Sequence, residues 1–362
     1  MQTIKHDAGY KNIHPLMDDI EQLYRIISDE ADTKGLFIDS LDTSLEPIYT
    51  SCVRHTGKSF ERVQFVEKSL PKLTLPKYDK KNIVVCYSGG KDSFSVIRHY
   101  MKMGYNVYPY HVVGLNKTYT DEWKVAKELT DELGLPLYID HVSYSGQHIW
   151  IEHPLKNMIM LNMALNYGIR EGITTRIAVG TFRSAFLVDV PFEVCAGDCK
   201  DMWQYYETVI QRFIPKFKVR IPNLNFHTAY HALLKEPQYL KYTMSCLTPN
   251  RFRNLFRERT LRNYDIEDLL PNRCGCCWKC ATEYIFFCDN GVLPYYPKYY
   301  LHCMEILLHT IEQEIGYKVY SVEYVWEHYF FYPMKKSMAW RELQNAFVQS
   351  GKIKIAHKDS EG

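Results

Sequence analysis

Residues 82–104 read NIVVCYSGGKDSFSVIRHYMKMG. An apolar run from Ile83 to Cys86 meets Ser88 and the pair Gly89-Gly90, then Lys91, Asp92 and Ser93. From there apolar residues recur at helical spacing as far as Gly104, a good residue just past a helix end. A β-rich run that turns on glycines directly into a helix is the first half of a βαβ unit. Glycines without a Cβ let backbone N–H groups approach an anion closely. The new helix points its unsatisfied N–H donors at the same place. Ser88 and Ser93 can donate hydroxyl hydrogen bonds, and Lys91 adds a full charge. Asp92 repels phosphate, so its expected task is to hold the loop or help ligate Mg²⁺.

The same rhythm repeats downstream. NVYPYHVVG (106–114) reads as a strand, and YTDEWKVAKELTDELG (119–134) as a helix with Thr120 as N-cap and Gly134 as stop. LPLYIDHV (135–142), LKNMIMLNMALNYGIREG (155–172) and ITTRIAVG (173–180) continue as strand, helix and strand. Strands alternating with helices predict an α/β fold: a parallel sheet with helices on both faces, Rossmann-like. Ligands of such sheets bind outside the carboxyl ends of the strands, and the glycine pair falls there.

Upstream, Leu16, Ile20, Leu23, Ile26 and Ile27 fall on one helical face. KSLPKLTLPKYDKKN (68–82) has two prolines and many lysines, and reads as an extended linker. Residues 201–217 and 227–240 read as helices. The expected organisation is an N-terminal extension and linker (1–80), the sheet domain (81–240), a zinc-binding helical segment (241–290) and a helical C-terminal extension (291–362).

The 362 residues are 46% hydrophobic and 24% charged, the composition of a globular protein. A formal charge of +2 neither favours nor excludes a nucleic-acid partner, because a neutral total can hide a basic face. Twenty-nine tyrosines point to half-buried aromatic packing. No stretch is apolar enough for a membrane span, and the opening residues are too polar for a secretory leader. Eleven cysteines without such a leader argue for a reducing, cytoplasmic setting.

Four cysteines crowd into RCGCCWKC (273–280): Cys274, Cys276, Cys277 and Cys280. Cys274-x-x-Cys277-x-x-Cys280 supplies three thiolates, and Cys246 in YTMSC is the candidate fourth for a closed tetrahedral Zn²⁺ site. Cys276 can replace one of the three, and an iron–sulfur cluster also accepts four thiolates.

The Walker pattern is absent. The SGGKDS stretch resembles instead the SGG-x-DS signature of the PP-loop, or N-type, ATP pyrophosphatases. That resemblance implies an adenine nucleotide alpha-hydrolase-like fold, with ATP split to AMP and pyrophosphate. Adding S-C at 245–246 and the later cysteines, residues 81–285 resemble the 7-cyano-7-deazaguanine synthases within that superfamily. Lys156-Asn157 stands at that family's Arg-Asn position. Asp198-Cys199-Lys200 stands at its Asp-Cys-Arg, and KYTMSC at its T-x-S-C.

The resemblance implies a carbon–nitrogen ligase of queuosine-type chemistry. Such an enzyme adenylates a carboxylate or amide of a deazaguanine base, replaces AMP with ammonia and forms a nitrile. Ser88, Gly89, Gly90, Lys91, Asp92 and Ser93 would then hold the nucleotide. Lys91, Asp92, Asn157 and Asp198 would serve catalysis, with Lys156 near the acceptor. The implied cofactors are ATP, Mg²⁺ and Zn²⁺. The partners are a small deazaguanine and ammonia, with room for a homodimer or for partner proteins.

Both family arginines are lysines here, and lysine cannot form a planar bidentate contact. The family's G-Q-R-H appears as Gly114-Leu115-Asn116-Lys117. These departures, with about 80 residues before the core and 70 after the cysteines, leave a second reading. It is ATP-dependent modification of nucleic acid or protein: a tRNA-thiolation-like enzyme, with Cys195 and Cys199 as candidate thiols, or a subunit of a DNA-modification or anti-phage system.

Overall fold

The computed structural model describes residues 5–6, 15–27, 40–56, 63–114, 122–141, 155–180, 200–222, 226–246, 248, 250–264, 266, 270–316 and 345. Thr120, Cys195, Asp198 and Cys199 lie outside the described residues, as does the C-terminal stretch beyond 316 apart from residue 345. The chain divides into two compact units, residues 1–225 and 226–362.

The first unit is built on a five-stranded parallel sheet. Its strands are β1 (Lys5–His6), β4 (Asn82–Cys86), β5 (Asn106–Val113), β6 (Tyr138–His141) and β7 (Ile177–Ala178), in the order β1-β6-β5-β4-β7. A two-stranded parallel ribbon joins β2 (Leu41–Asp42) to β3 (Phe65–Val66). Helices α1 (Met17–Ile27), α2 (Glu46–Thr56), α3 (Lys91–Lys102), α4 (Glu122–Glu132), α5 (Lys156–Arg170) and α6 (Lys200–Gln211) complete it.

The central strands bury both faces, as the continuous apolar runs predict. Val84 and Cys86 of β4 share a cluster with Tyr110 and Val112 of β5 and with buried residues of α1, α5 and α6. Ile83 and Val85 alternate with them onto the opposite face. Helices α3 and α4 pack on the sheet through β4 and β5. Leu16, just before α1, and Ile20 and Leu23 within it belong to the same core. The segment expected as an extension is therefore part of the first unit's core.

Helices α3 and α4 both stop at a glycine in the left-handed region, Gly104 (φ 71°) and Gly134 (φ 67°). Tyr105 N–H reaches the Tyr100 carbonyl and Gly104 N–H that of Met101, a Schellman closure. Leu135 and Gly134 repeat it on Thr130 and Asp131.

The second unit is helical: α7 (Phe226–Lys235), α8 (Asn250–Thr260), α9 (Trp278–Asp289) and α10 (Pro297–Gly316). The sheet domain was expected to run to residue 240, but α7 sits in this unit. Tyr284 and Tyr299 meet edge to face at 4.5 Å, and each hydroxyl finds a carbonyl, of Pro294 and Gly275. Part of the high tyrosine count is thus buried ring with a satisfied tip.

Candidate nucleotide loop and metal centre

The order β6-β5-β4-β7 puts the topological switch between β4 and β7, where the chain leaves the central strand in opposite directions. The Ser88–Ser93 loop leaves the carboxyl end of β4 at that point. Gly89 has φ 81°, a conformation glycine adopts without cost. Gly90 precedes α3, and no side chain caps that helix. The Ser93 hydroxyl closes the loop: it lies 3.2 Å from the Gly90 carbonyl, 3.3 Å from the Ser88 amide and 3.2 Å from the Ser88 hydroxyl.

Lys91 is turned inward and is 5% exposed. Its ammonium stands 3.2 Å from Asp92 Oδ1, so Asp92 restrains the one side-chain cation of the loop. From the far side of the switch, Gly180 closes on the loop. A Cβ at Gly180 would lie 2.8 Å from the Ser93 nitrogen and 2.9 Å from its Cα. Only a residue without a side chain lets the two backbones meet.

His111 was not singled out in the sequence. It lies in β5, 5% exposed, with Nδ1 2.7 Å from the Tyr87 carbonyl, immediately before Ser88. Burial pushes its pKa down to about 4. The Tyr87 hydrogen bond opposes that shift, while the nearby charges of Lys156 and His141 add to it. The ring is neutral at pH 7, and Nδ1 carries the proton it donates to Tyr87. Lys156 and Asn157 open α5 and are half-buried, and Lys156 bears electrostatically on His111. Of the other expected acceptor residues, Asp198 lies outside the described residues.

In the second unit the sulfurs of Cys246, Cys274, Cys277 and Cys280 lie within 4.8 Å of one another. A tetrahedral Zn–S distance of about 2.3 Å places sulfurs about 3.8 Å apart. Cys274 and Cys280 stand at 3.8 Å, and Cys277 and Cys280 at 3.4 Å. Backbone amides two residues on point at two of the sulfurs: Cys276 N–H at Cys274 and Thr248 N–H at Cys246, each at 3.4 Å. Hydrogen bonds from Cys246, and then from Cys276, Cys277 and Cys280, hold the Cys274 thiol far below its usual range. Cys246 is lowered as well, and a preformed sulfur cage with two acidified thiols suits a dication such as zinc. The Cys276 sulfur stays at the rim, 3.6 Å from Cys274, outside the four-sulfur group.

Local geometry explains how the cage forms. Gly275, between two of the cysteines, has φ 78°, and a Cβ there would overlap Leu261. Arg273 is fully buried. It pairs with Glu283 of α9 at 2.9 Å and donates to the Thr243 carbonyl and hydroxyl. One guanidinium thus ties the irregular segment that carries Cys246 to the helix that carries Cys280.

No protein-family model matches this chain, and no curated protein matches it either.

Proposed function

We propose that the first unit is an ATP pyrophosphatase of the PP-loop type, serving as an ATP-dependent carbon–nitrogen ligase on a deazaguanine-type base. The observation that carries this reading is the SGGKDS loop at the carboxyl end of the central strand, closed by Gly180 across the switch point. A loop of backbone N–H groups, a helix start and two hydroxyls stabilises negative charge as pyrophosphate departs. Ser88 and Ser93 orient the leaving phosphates, Lys91 adds charge, and Asp92 holds Lys91 or shares Mg²⁺. Lys156 and Asn157, at the start of α5, and neutral His111, on which Lys156 acts electrostatically, are the polar groups we assign to the acceptor. The four-cysteine site has no open position once a metal is bound, so its part is structural.

The test is direct. Full-length protein with ATP, Mg²⁺, ammonia and 7-carboxy-7-deazaguanine should release AMP and pyrophosphate and form the nitrile, read by mass spectrometry. AMP without nitrile keeps the pyrophosphatase and rejects the acceptor. No AMP with this acceptor, or with a panel of carboxylates and amides, rejects both.

A further inference from the structure

At the end of the sheet opposite the loop, two adjoining cavities of about 520 and 310 Å³ open beside each other. They share Lys80, Arg176 and Arg220 in their walls. Lys81 completes the first, and Lys216 and Lys218 the second. Six cationic side chains therefore line one continuous depression, and no carboxylate lines either part. In a chain of net charge +2 this is a strong local concentration. Two carboxylates adjoin it: Asp79 receives Lys81 N–H, and Glu207 receives Val219 N–H while its charge also acts on Lys218 and Arg220, so it offsets part of the positive charge.

Three features give the depression a direction. From Phe217 to Arg220 burial alternates, with Phe217 and Val219 inward and Lys218 and Arg220 outward. Arg220 bridges to Ala178, so this segment extends the sheet beyond β7. Its outward cations are spaced two residues apart, about 6.6 Å, on the scale of successive phosphates along a single strand. Aromatic faces are interleaved: Tyr105 carries the Lys81 ammonium 4.7 Å above its ring, and Tyr78 and His99 are half-buried in the walls. Lys216 has φ 64° and is the only non-glycine residue with positive φ among the described residues. Turns of this kind favour glycine or asparagine, so a lysine here keeps a cation at a conformational cost.

We propose that this depression binds single-stranded nucleic acid, its cations neutralising successive phosphates and its aromatics stacking on unpaired bases. The groove flanks the amino ends of β4 and β7, while the Ser88–Ser93 loop leaves the carboxyl end of β4. Five strand residues, about 16 Å, separate the two. An occupant of the groove and ATP therefore do not compete, and the inference stands apart from the ligase reading.

The experiment is fluorescence anisotropy of labelled 15-mer oligo-U and oligo-dT with the full chain, from 50 to 200 mM KCl. Binding should strengthen as salt falls, with a log–log slope of about −0.7 for each phosphate contact. Saturating ATP should leave it unchanged. The double variant Lys218→Ser/Arg220→Gln should weaken binding at least tenfold and flatten the slope. Tyr105→Leu should weaken binding and keep the slope. Lys216→Gly should raise the melting temperature yet lower affinity, which a misfolded variant cannot do. Lys124→Ser, on α4 of the same unit and outside the groove lining, should change nothing. No binding at 50 mM salt, or groove variants that bind like the parent, overturns the proposal. Equal displacement by tripolyphosphate at matched phosphate count makes the groove a free-phosphate pocket and overturns it. Equal displacement by polyglutamate makes it an acidic-peptide site and does the same.

Discussion

A methyl group at position 180 would stand 2.8 Å from the Ser93 nitrogen, where the neighbour is backbone and cannot swing away. Gly180→Ala should therefore push the start of α3 outward, lower ATP affinity at least tenfold and cost about 1–3 kcal/mol of stability. Calorimetric titration with ATP and a thermal melt check it. Unchanged affinity would show that the contact does not shape the loop. His111 makes a pH prediction. Its folded pKa is lowered to about 4 from an ordinary 6.5, so between those values the unfolded chain holds a proton that the folded chain does not. Stability from this residue is complete above the unfolded value and is lost as pH falls through the window, on the order of 3 kcal/mol in all. His111→Gln should flatten the stability curve there, measured by urea titration at a series of pH values. Neither role was legible in the sequence. Gly180 ended a strand like many glycines, and His111 lay in an apolar run with nothing to mark its carbonyl partner 24 residues away.

Among elements, the cysteine segment was the most legible, because a C-x-x-C-x-x-C spacing is a local signal and thiols have few other reasons to cluster. What holds the segment together was not. Arg273 adjoins Cys274 in sequence, but its partners are Glu283, ten residues on, and Thr243, thirty residues back. Removing one member of a fully buried pair leaves a charge without compensation, at a cost of about 3–5 kcal/mol. Arg273→Met should cost that much and lower bound metal per chain, measured by elemental analysis. Arg273→Met/Glu283→Leu should recover most of the stability, because it removes both charges. Asp42 plays a similar part between β2 and Arg212, the residue that follows α6. Burial of its carboxyl is outweighed by hydrogen bonds from Ser44 and Arg212, which hold the pKa below the usual range. Its stabilisation is present above the ordinary carboxylate pKa of about 3.9 and disappears as pH falls through the lowered folded value. Asp42→Asn weakens hydrogen bonds to a charged group and should cost about 1.5–3 kcal/mol at pH 7 and remove that part of the acid sensitivity, seen as a shallower loss of melting temperature below pH 4. The lysine-rich stretch at 68–82 read as a linker, and the helix expected over 201–217 took in only the first two residues of 216–220. Only the sheet edge brought them together into one basic depression.

At the scale of the whole molecule, the parallel sheet was legible because strands buried on both faces must be apolar throughout and their helices must alternate between them. The division into units was less so. Residues 15–27 looked like an appendage until α1 met α5 in the core, and α7 looked continuous with the helices before it. Such assignments depend on contacts between distant segments, which no local pattern carries. The two units also differ in what stabilises them. The first buries a sheet between helices and holds no candidate metal group among its described residues, whereas the second is gathered around four thiols. A metal that binds only the folded arrangement adds its binding free energy to folding of that unit alone. Stripping metal with a strong chelator should therefore raise amide hydrogen exchange in 243–246 and along α9, while β4 and β5 keep their protection. Mass-spectrometric exchange resolves both regions in one sample. Equal loss of protection in the sheet would mean that the metal stabilises the chain as a single cooperative block, and no change in α9 would mean that the thiol cage stands without it.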